Sequence, residues 1–206
     1  MTRLYLLRHG SVDADGMFYG QLDVPLAPAG ERQLQRAADA LAGVELAAVF
    51  SSDLQRTVKG AEVVARPHGL EVRPDAAFRE MHLGVLEGVP FLSARDRHPE
   101  LANRRYQDMW DYRFPEGGEN LQDLADRINP ALDRLLAEHP DDTVALVAHN
   151  SPNRVIIGQA LGLPLSAVFD FSQEFGCVNC IDYREGHRAR AKVRLMNWTP
   201  RAPAAV

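Results

Sequence analysis

The sequence predicts an α/β protein, a three-layer sandwich in which a mostly parallel sheet carries helices on both faces. Two observations carry that prediction. Short apolar runs read as strands buried on both faces, and they alternate along the chain with segments whose apolar residues recur at helical spacing. Three of these strands end in polar residues suited to phosphate, and in open sheets of this kind ligands bind beyond the carboxyl ends of the strands. The 206 residues fit a single domain, residues 1–206, with a small helical cap insertion at about residues 90–118.

The first strand, Leu4–Leu7, is nearly all apolar and ends in Arg8-His9-Gly10. A helix follows over Ala29–Leu41, with Leu34, Ala37, Ala38 and Leu41 on one face, Pro28 placed to start it and Gly43 to stop it. Ala47–Phe50 is a second buried strand, ending in Ser51-Ser52, and Leu54–Ala65 is again helical, closed by Pro67 and Gly69. Glu71–Arg73 forms a short third strand. Helix-like pieces broken by Pro90, Pro99 and Pro115 make up the cap. A long helix, Leu121–Ala137, leads into Thr143–Ala148, the clearest buried strand of the chain. It ends in His149-Asn150-Ser151-Pro152, where Ser151 can cap and Pro152 can open a helix reaching Leu161. Two strands close the fold, about Cys177–Tyr183 and Ala189–Met196, joined by a turn at Glu185-Gly186.

Composition narrows the function classes. The chain is 46% apolar and 25% charged, the average of a soluble globular domain. Its 23 basic and 28 acidic residues give a net charge of −5, which argues against general nucleic-acid binding. Lys59 and Lys192 are the only lysines, so arginine supplies nearly all the positive charge; a GC-rich genome or bidentate recognition of phosphate would each produce that bias. No apolar stretch approaches a membrane span, and the N-terminal apolar run stops at Arg8, too early for a signal peptide. These readings predict a cytoplasmic protein with no membrane partner, a monomer or a homodimer. Cys177 and Cys180 form a lone CxxC on a strand-like segment and read as two reduced thiols. Arg188, Arg190, Lys192 and Arg194 recur at period two opposite apolar residues, the solvent face of an edge strand.

The residues that carry chemistry are dispersed along the chain. Arg8 and His9 end the first strand, Arg56 lies just beyond the second, His149 ends the TVALVA strand, and Glu80 falls in a loop within FREMHLGVLEG. Two histidines, two arginines and a carboxylate are what transfer of a phosphoryl group to a side-chain nitrogen needs. A neutral imidazole attacks phosphorus and carries the group covalently, splitting one hard displacement into two easier ones. Fixed cations stabilise the charge spread over the equatorial oxygens, and a carboxylic acid can protonate the departing alkoxide and later activate water. Glu87 lies close enough to Glu80 to compete for that last task, whereas His82 reads as a loop hydrogen-bonding group. Arg8 and Arg56 have a structural alternative, pairing with Asp53 or Asp23.

Leu6-Leu7-Arg8-His9-Gly10 resembles the hallmark of the histidine phosphatase superfamily, the phosphoglycerate mutase-like fold. The resemblance continues through Gly20–Leu26 with Gly30, Ser51–Thr57, Glu80 with Gly84 and Glu87-Gly88, Pro115–Glu119 and Ala148-His149, and so spans essentially the whole chain. It implies that His9 is the phosphorylated nucleophile, that Arg8, Arg56 and His149 form the phosphate pocket, and that Glu80 is the general acid. Asn150, standing where the family commonly has glycine, adds a side-chain amide to that pocket. Tyr19, Gly20 and Gln21 are the expected substrate-binding residues. No metal and no cofactor is implied, and the partner is a small phosphorylated metabolite.

Departures from the family pattern bear on the substrate. The phosphate-contacting asparagine of the family aligns with Asp15, whose charge would repel phosphate. The Arg and Tyr with which a mutase would hold its substrate are Met81 and Leu83 here. Loss of those groups favours release of phosphate to water, so the expected activity is a metal-independent phosphomonoesterase; a phosphoglycerate mutase-type isomerase and a non-catalytic phospholigand-binding protein are the alternatives. The segment Gln173–Asn179 followed by Ile181-Asp182 resembles the α-ribazole phosphatase branch, which makes α-ribazole 5′-phosphate a candidate substrate. Tyr19, Tyr106, Trp110, Tyr112 and Phe114 could stack on a ring, or simply pack the cap. Arg95, Arg97, Arg104, Arg105 and Arg113 alternate with acids and read mostly as a solvated face.

Overall fold

The computed structural model describes residues 1–14, 16–99, 110–185 and 187–201. Asp15, Arg104, Arg105 and Tyr106 lie outside them. A six-stranded sheet runs in the order β3-β2-β4-β1-β5-β6. Its centre is β1 (Thr2–Arg8), which pairs in parallel with β4 (Thr143–Ala148) and antiparallel with β5 (Val178–Tyr183). On one side β2 (Ala48–Ser51) and β3 (Val72–Pro74) continue the parallel half; on the other, β6 (Ala191–Trp198) pairs antiparallel with β5.

The register of the parallel half positions the site. Arg8 lies opposite Ala148, and Ser51 opposite Val147, so β1, β2 and β4 reach their carboxyl ends side by side. His9, Ser52 and His149, the next residues of each chain segment, therefore emerge together.

Each strand residue alternates between two apolar layers. Leu7, Val49, Ala145 and Val147 meet α1 (Pro28–Leu41) and α2 (Gln55–Ala65) through Leu34, Ala37, Ala61 and Val64. Leu4, Leu6, Val144 and Leu146 meet α4 (Leu121–Glu138) and α5 (Asn150–Ala160) through Leu124, Ile128, Val155 and Ile156. Each fully buried leucine or isoleucine contributes on the order of 1.5–3 kcal/mol relative to exposure. The sandwich predicted from alternation is thus built from two apolar layers, one on each face of the sheet, with the antiparallel β5 and β6 completing it.

Two element boundaries differ from expectation for physical reasons. Helix α5 starts at Asn150 with His149 as its extended N-cap, and Ser151 does not cap it. The first N–H groups are satisfied instead by the Glu80 carboxylate, which accepts from Asn150 N at 3.1 Å and Ser151 N at 3.2 Å. Strand β6 begins at Ala191, because Arg188–Arg190 make a 3₁₀ turn in which Arg188 pairs with Asp133 and Arg190 with Glu185. The exposed basic stripe therefore shrinks to Lys192 and Arg194.

Between β3 and α4 the described cap residues include α3 (Phe91–Arg97), and Phe114 is buried with Tyr112 against its edge, while Trp110 is exposed. Arg113 pairs with Asp123. Both cysteines are free and buried, and burial pushes the Cys177 thiol up to about 11. Among the described residues no helix is long and apolar enough to cross a membrane.

Candidate active site

His9 follows the last residue of β1 and is buried. Its Nδ1 lies 2.7 Å from the Gly10 carbonyl oxygen. A carbonyl only accepts, so Nδ1 carries the proton and Nε2 is left with its lone pair. Burial, reinforced by Arg56 and Arg8, holds the imidazole well below its usual 6.5. The turn after it is a backbone-on-backbone contact: a Cβ on Gly10 would stand 2.2 Å from Gly30 O, and one on Gly30 would stand 2.1 Å from Ser11 O. Two glycines thus let the start of α1 press against the end of β1.

The cations around His9 have no carboxylate partner in a salt bridge among the described residues. Arg56, fully buried, donates to Gly20 O at 2.6 Å and Leu22 O at 2.7 Å, and its Nε has no partner. Arg8 donates to Gln173 O at 2.5 Å and lies 3.8 Å over the Phe175 ring, with its Nε also unpartnered. The acids that could have paired with them are engaged elsewhere. Asp53 takes both arms of Arg79 at 2.6 Å, and Asp23 accepts from Gln55 N at 2.7 Å. Two guanidinium charges therefore converge on neutral carbonyls.

His149 completes the group. Its ring centroid is 5.1 Å from that of His9, its Nε2 is 2.8 Å from Ser52 Oγ, and its Nδ1 is buried without a partner. Burial first, then Arg56, His9 and Arg8, hold its pKa well below the usual value as well.

Glu80 is 9% exposed and sits at the N-terminus of α5, where both oxygens accept: Oε1 from Met81 N at 2.8 Å and Oε2 from Asn150 N at 3.1 Å. The positive end of the helix and the carboxylate attract each other. Arg127, from α4, braces the Glu80 loop by donating to Ala77 O, Arg79 O and Glu80 O while pairing with Glu119 at 2.7 Å. Glu87 has a different job. It accepts from Gln21 N and Leu83 N and so ties two loops together. His82 Nδ1 contacts Gly117 O at 2.9 Å, the loop role expected of it.

The remaining sequence candidates border this group. Tyr19 lies edge-on to His9 with centroids 6.4 Å apart, Gln21 Nε2 donates to Glu80 O at 3.0 Å, and a Cβ on Gly20 would strike Glu87 Oε1 at 2.4 Å. Asn150 is only partly buried, and its Oδ1 accepts from Arg154 Nε at 2.9 Å, which leaves the amide Nδ2 as its donating end. Sequence reasoning assigned no role to Ser52, Thr57, Arg127, Gln173 or Phe175. The signal for Arg127 was weakest in kind, an arginine on a helix with Asp123 and Asp126 within one turn, the pattern of an ordinary solvated face. Among the described residues no three metal-ligating side chains cluster.

This geometry can hold a tetrahedral oxyanion against a neutral imidazole. Comparison with known proteins agrees with that chemistry. A family model described as "Histidine phosphatase superfamily (branch 1)" matches residues 4–199. The chain belongs to the histidine phosphatase superfamily. As a member it is a phosphatase-type enzyme. Its relatives include a Salmonella choleraesuis protein named "Probable phosphoglycerate mutase GpmB", 31% identical over 187 residues covering 90% of this chain and 86% of the relative. Among solved structures, the α-ribazole phosphatase of Shigella flexneri superposes with a TM-score of 0.85 at 26% identity, covering 95% of this histidine phosphatase and 96% of that chain. A mycobacterial glucosyl-3-phosphoglycerate phosphatase in complex with inorganic phosphate gives 0.83 at 28% identity, with 96% and 98% covered.

Proposed function

We propose that the protein is a metal-independent phosphomonoesterase that hydrolyses a small phosphorylated metabolite through phospho-His9. The observation that carries this reading is the pair of guanidinium groups, Arg56 fully buried and Arg8 half-buried, held on carbonyls around a histidine whose Nε2 lone pair is free. Nε2 attacks phosphorus as the ester P–O bond breaks, and the leaving oxygen takes a proton from the Glu80 carboxyl. Water, giving its proton back to Glu80, then attacks phospho-His9 and releases phosphate. Arg8, Arg56, His149 and the Asn150 amide bind the equatorial oxygens, while Tyr19, Gly20 and Gln21 border the leaving group.

Hydrolysis is preferred over isomerisation because Met81, where a mutase would present a cation, is an apolar side chain 2% exposed. The named activities of the neighbours support phosphate esters of modest size, and α-ribazole 5′-phosphate and glucosyl-3-phosphoglycerate are the first substrates to try. The reading places the enzyme in the cytoplasm, as a monomer or homodimer, with neither nucleic acid nor membrane as partner. The test is His9→Ala on p-nitrophenyl phosphate, with wild type assayed in EDTA. Loss of turnover in the variant and full activity in chelator are expected; a variant as fast as wild type overturns the phosphohistidine, and isomerised phosphoglycerate without free phosphate overturns the hydrolase.

A further inference from the structure

Three hydroxyl-bearing contacts behind His149 constrain where its protons sit. Thr57 Oγ1 is 2.8 Å from Leu54 O and 3.1 Å from Ser52 O, carbonyls that can only accept, and 2.6 Å from Ser52 Oγ. Its single proton goes to a carbonyl, so toward Ser52 it presents a lone pair. A separation of 2.6 Å between two oxygens requires a proton between them, and that proton must come from Ser52. Ser52 Oγ also accepts from Leu54 N at 3.2 Å, which leaves it one lone pair for His149 Nε2 at 2.8 Å. With that assignment no contact sets two lone pairs or two protons face to face, the one Thr57 proton being shared between its two carbonyls. The reverse order would strip Thr57 from both carbonyls and set lone pairs against each other. All three groups are buried, so water does not relieve the conflict.

We infer that Ser52 and Thr57 form a two-hydroxyl relay that fixes His149 as its Nε2–H tautomer, so that buried Nδ1 is a bare acceptor which takes up the proton of an arriving phosphate monoester. The inference rests on the phosphohydrolase reading and adds positioning residues to it. The ester monoanion gives its P–OH proton to Nδ1 and becomes a dianion; His149 becomes an imidazolium that donates from Nδ1 to a phosphate oxygen and from Nε2 to Ser52. The groups facing His149 set this balance. Arg8 and His9 from the end of β1, Arg56 from α2 and Arg127 from α4 disfavour the imidazolium in the empty site, and the bound anion reverses that. Glu80 stands at the start of the helix His149 caps, its carboxylate held by Asn150 N.

The test reads the tautomer directly, without turnover. Long-range ¹H–¹⁵N spectra of ¹⁵N-histidine protein are recorded with and without inorganic phosphate at pH 6.5–7. For wild type, His149 should show protonated Nε2 and bare Nδ1 when empty, and both nitrogens protonated once phosphate is added. Ser52→Ala should lose that preference and bind phosphate about 10-fold more weakly, with the acidic limb of its pH profile displaced; Ser52→Thr, which keeps the hydroxyl, should restore the wild-type spectrum. Thr57→Val provides a second variant should Ser52→Ala fold poorly. A wild-type His149 already protonated on Nδ1 without phosphate, or an unchanged tautomer in Ser52→Ala and Thr57→Val, overturns the relay. Because the spectra need no catalysis, failure of the phosphohistidine reading shows separately, as activity persisting in His9→Ala.

Discussion

Replacing Gly10 with alanine should disturb the fold and the site together. The added Cβ would meet Gly30 O at 2.2 Å and Gly30 C and Cα at 2.5 Å, all main-chain atoms with no rotamer to escape into. Relief to an ordinary contact needs β1 and the start of α1 to part by about 1 Å, and overpacking of this kind costs roughly 3 kcal/mol. For a chain of this size that lowers Tm by roughly 6–12 °C. The same displacement moves His9 relative to Arg56 and His149, and a misplacement of about 1 Å at a reacting group costs on the order of 100-fold in rate. Thermal unfolding and kcat/KM on p-nitrophenyl phosphate measure both effects. Gly43→Ala is the control, because nothing lies within 4 Å of its Cβ position, and removing a glycine from the unfolded chain stabilises by up to about 1 kcal/mol. A Gly10→Ala protein with wild-type Tm and wild-type kcat/KM would show that the glycine contact does not position His9.

Two further predictions follow from the electrostatics. Glu80→Gln keeps the shape but cannot pass a proton, so kcat should fall about 100-fold on alkyl phosphates and far less on p-nitrophenyl phosphate, whose leaving group needs no acid; equal losses on both remove Glu80 from that role. His9 and His149 are held well below 6.5 in the folded protein. The unfolded chain therefore binds more protons than the folded one from about pH 6.5 downward to the depressed folded values, and stability falls as pH drops through that window. Denaturant midpoints measured from pH 7 to pH 5 should decline, and the decline should shrink in His149→Gln; a flat profile in wild type contradicts the burial of two neutral imidazoles.

The parallel half of the fold was legible because its strands are buried on both faces, and continuous apolar runs such as TVALVA have few other readings. Residues Arg8, His9, Arg56, Glu80 and His149 were legible for a different reason, since each belongs to a motif at a strand end or in a loop, and the sheet register brings those ends together. What stayed hidden depends on contacts between distant segments. The capping of α5 by Glu80 joins residues 70 positions apart, and no local pattern at Ser151 announces that another group has taken its place. Ser52 and Thr57 were visible as motif letters, but their link to His149 exists only once β2 and β4 pair. The start of β6 was misplaced because alternation continued through Arg188–Arg190, where two ion pairs hold a turn instead.

The carbonyl partners of Arg8 and Arg56 have a consequence for the protein as a whole. A carboxylate in their place would neutralise each guanidinium and make the empty fold more robust, but an incoming phosphate would then have to displace it. Backbone oxygens orient the cations without neutralising them, and for Arg56 the more distant carboxylates of Glu80, Asp23 and Glu87 offset the charge only in part, so the resting protein carries a local electrostatic burden that a bound anion relieves. Its stability and its readiness are set against each other at these two residues. Substitutions that harden the apo protein there should do so by dulling the site, and a mutational search for thermostability should find Arg8 and Arg56 among the positions where gains come at the expense of turnover.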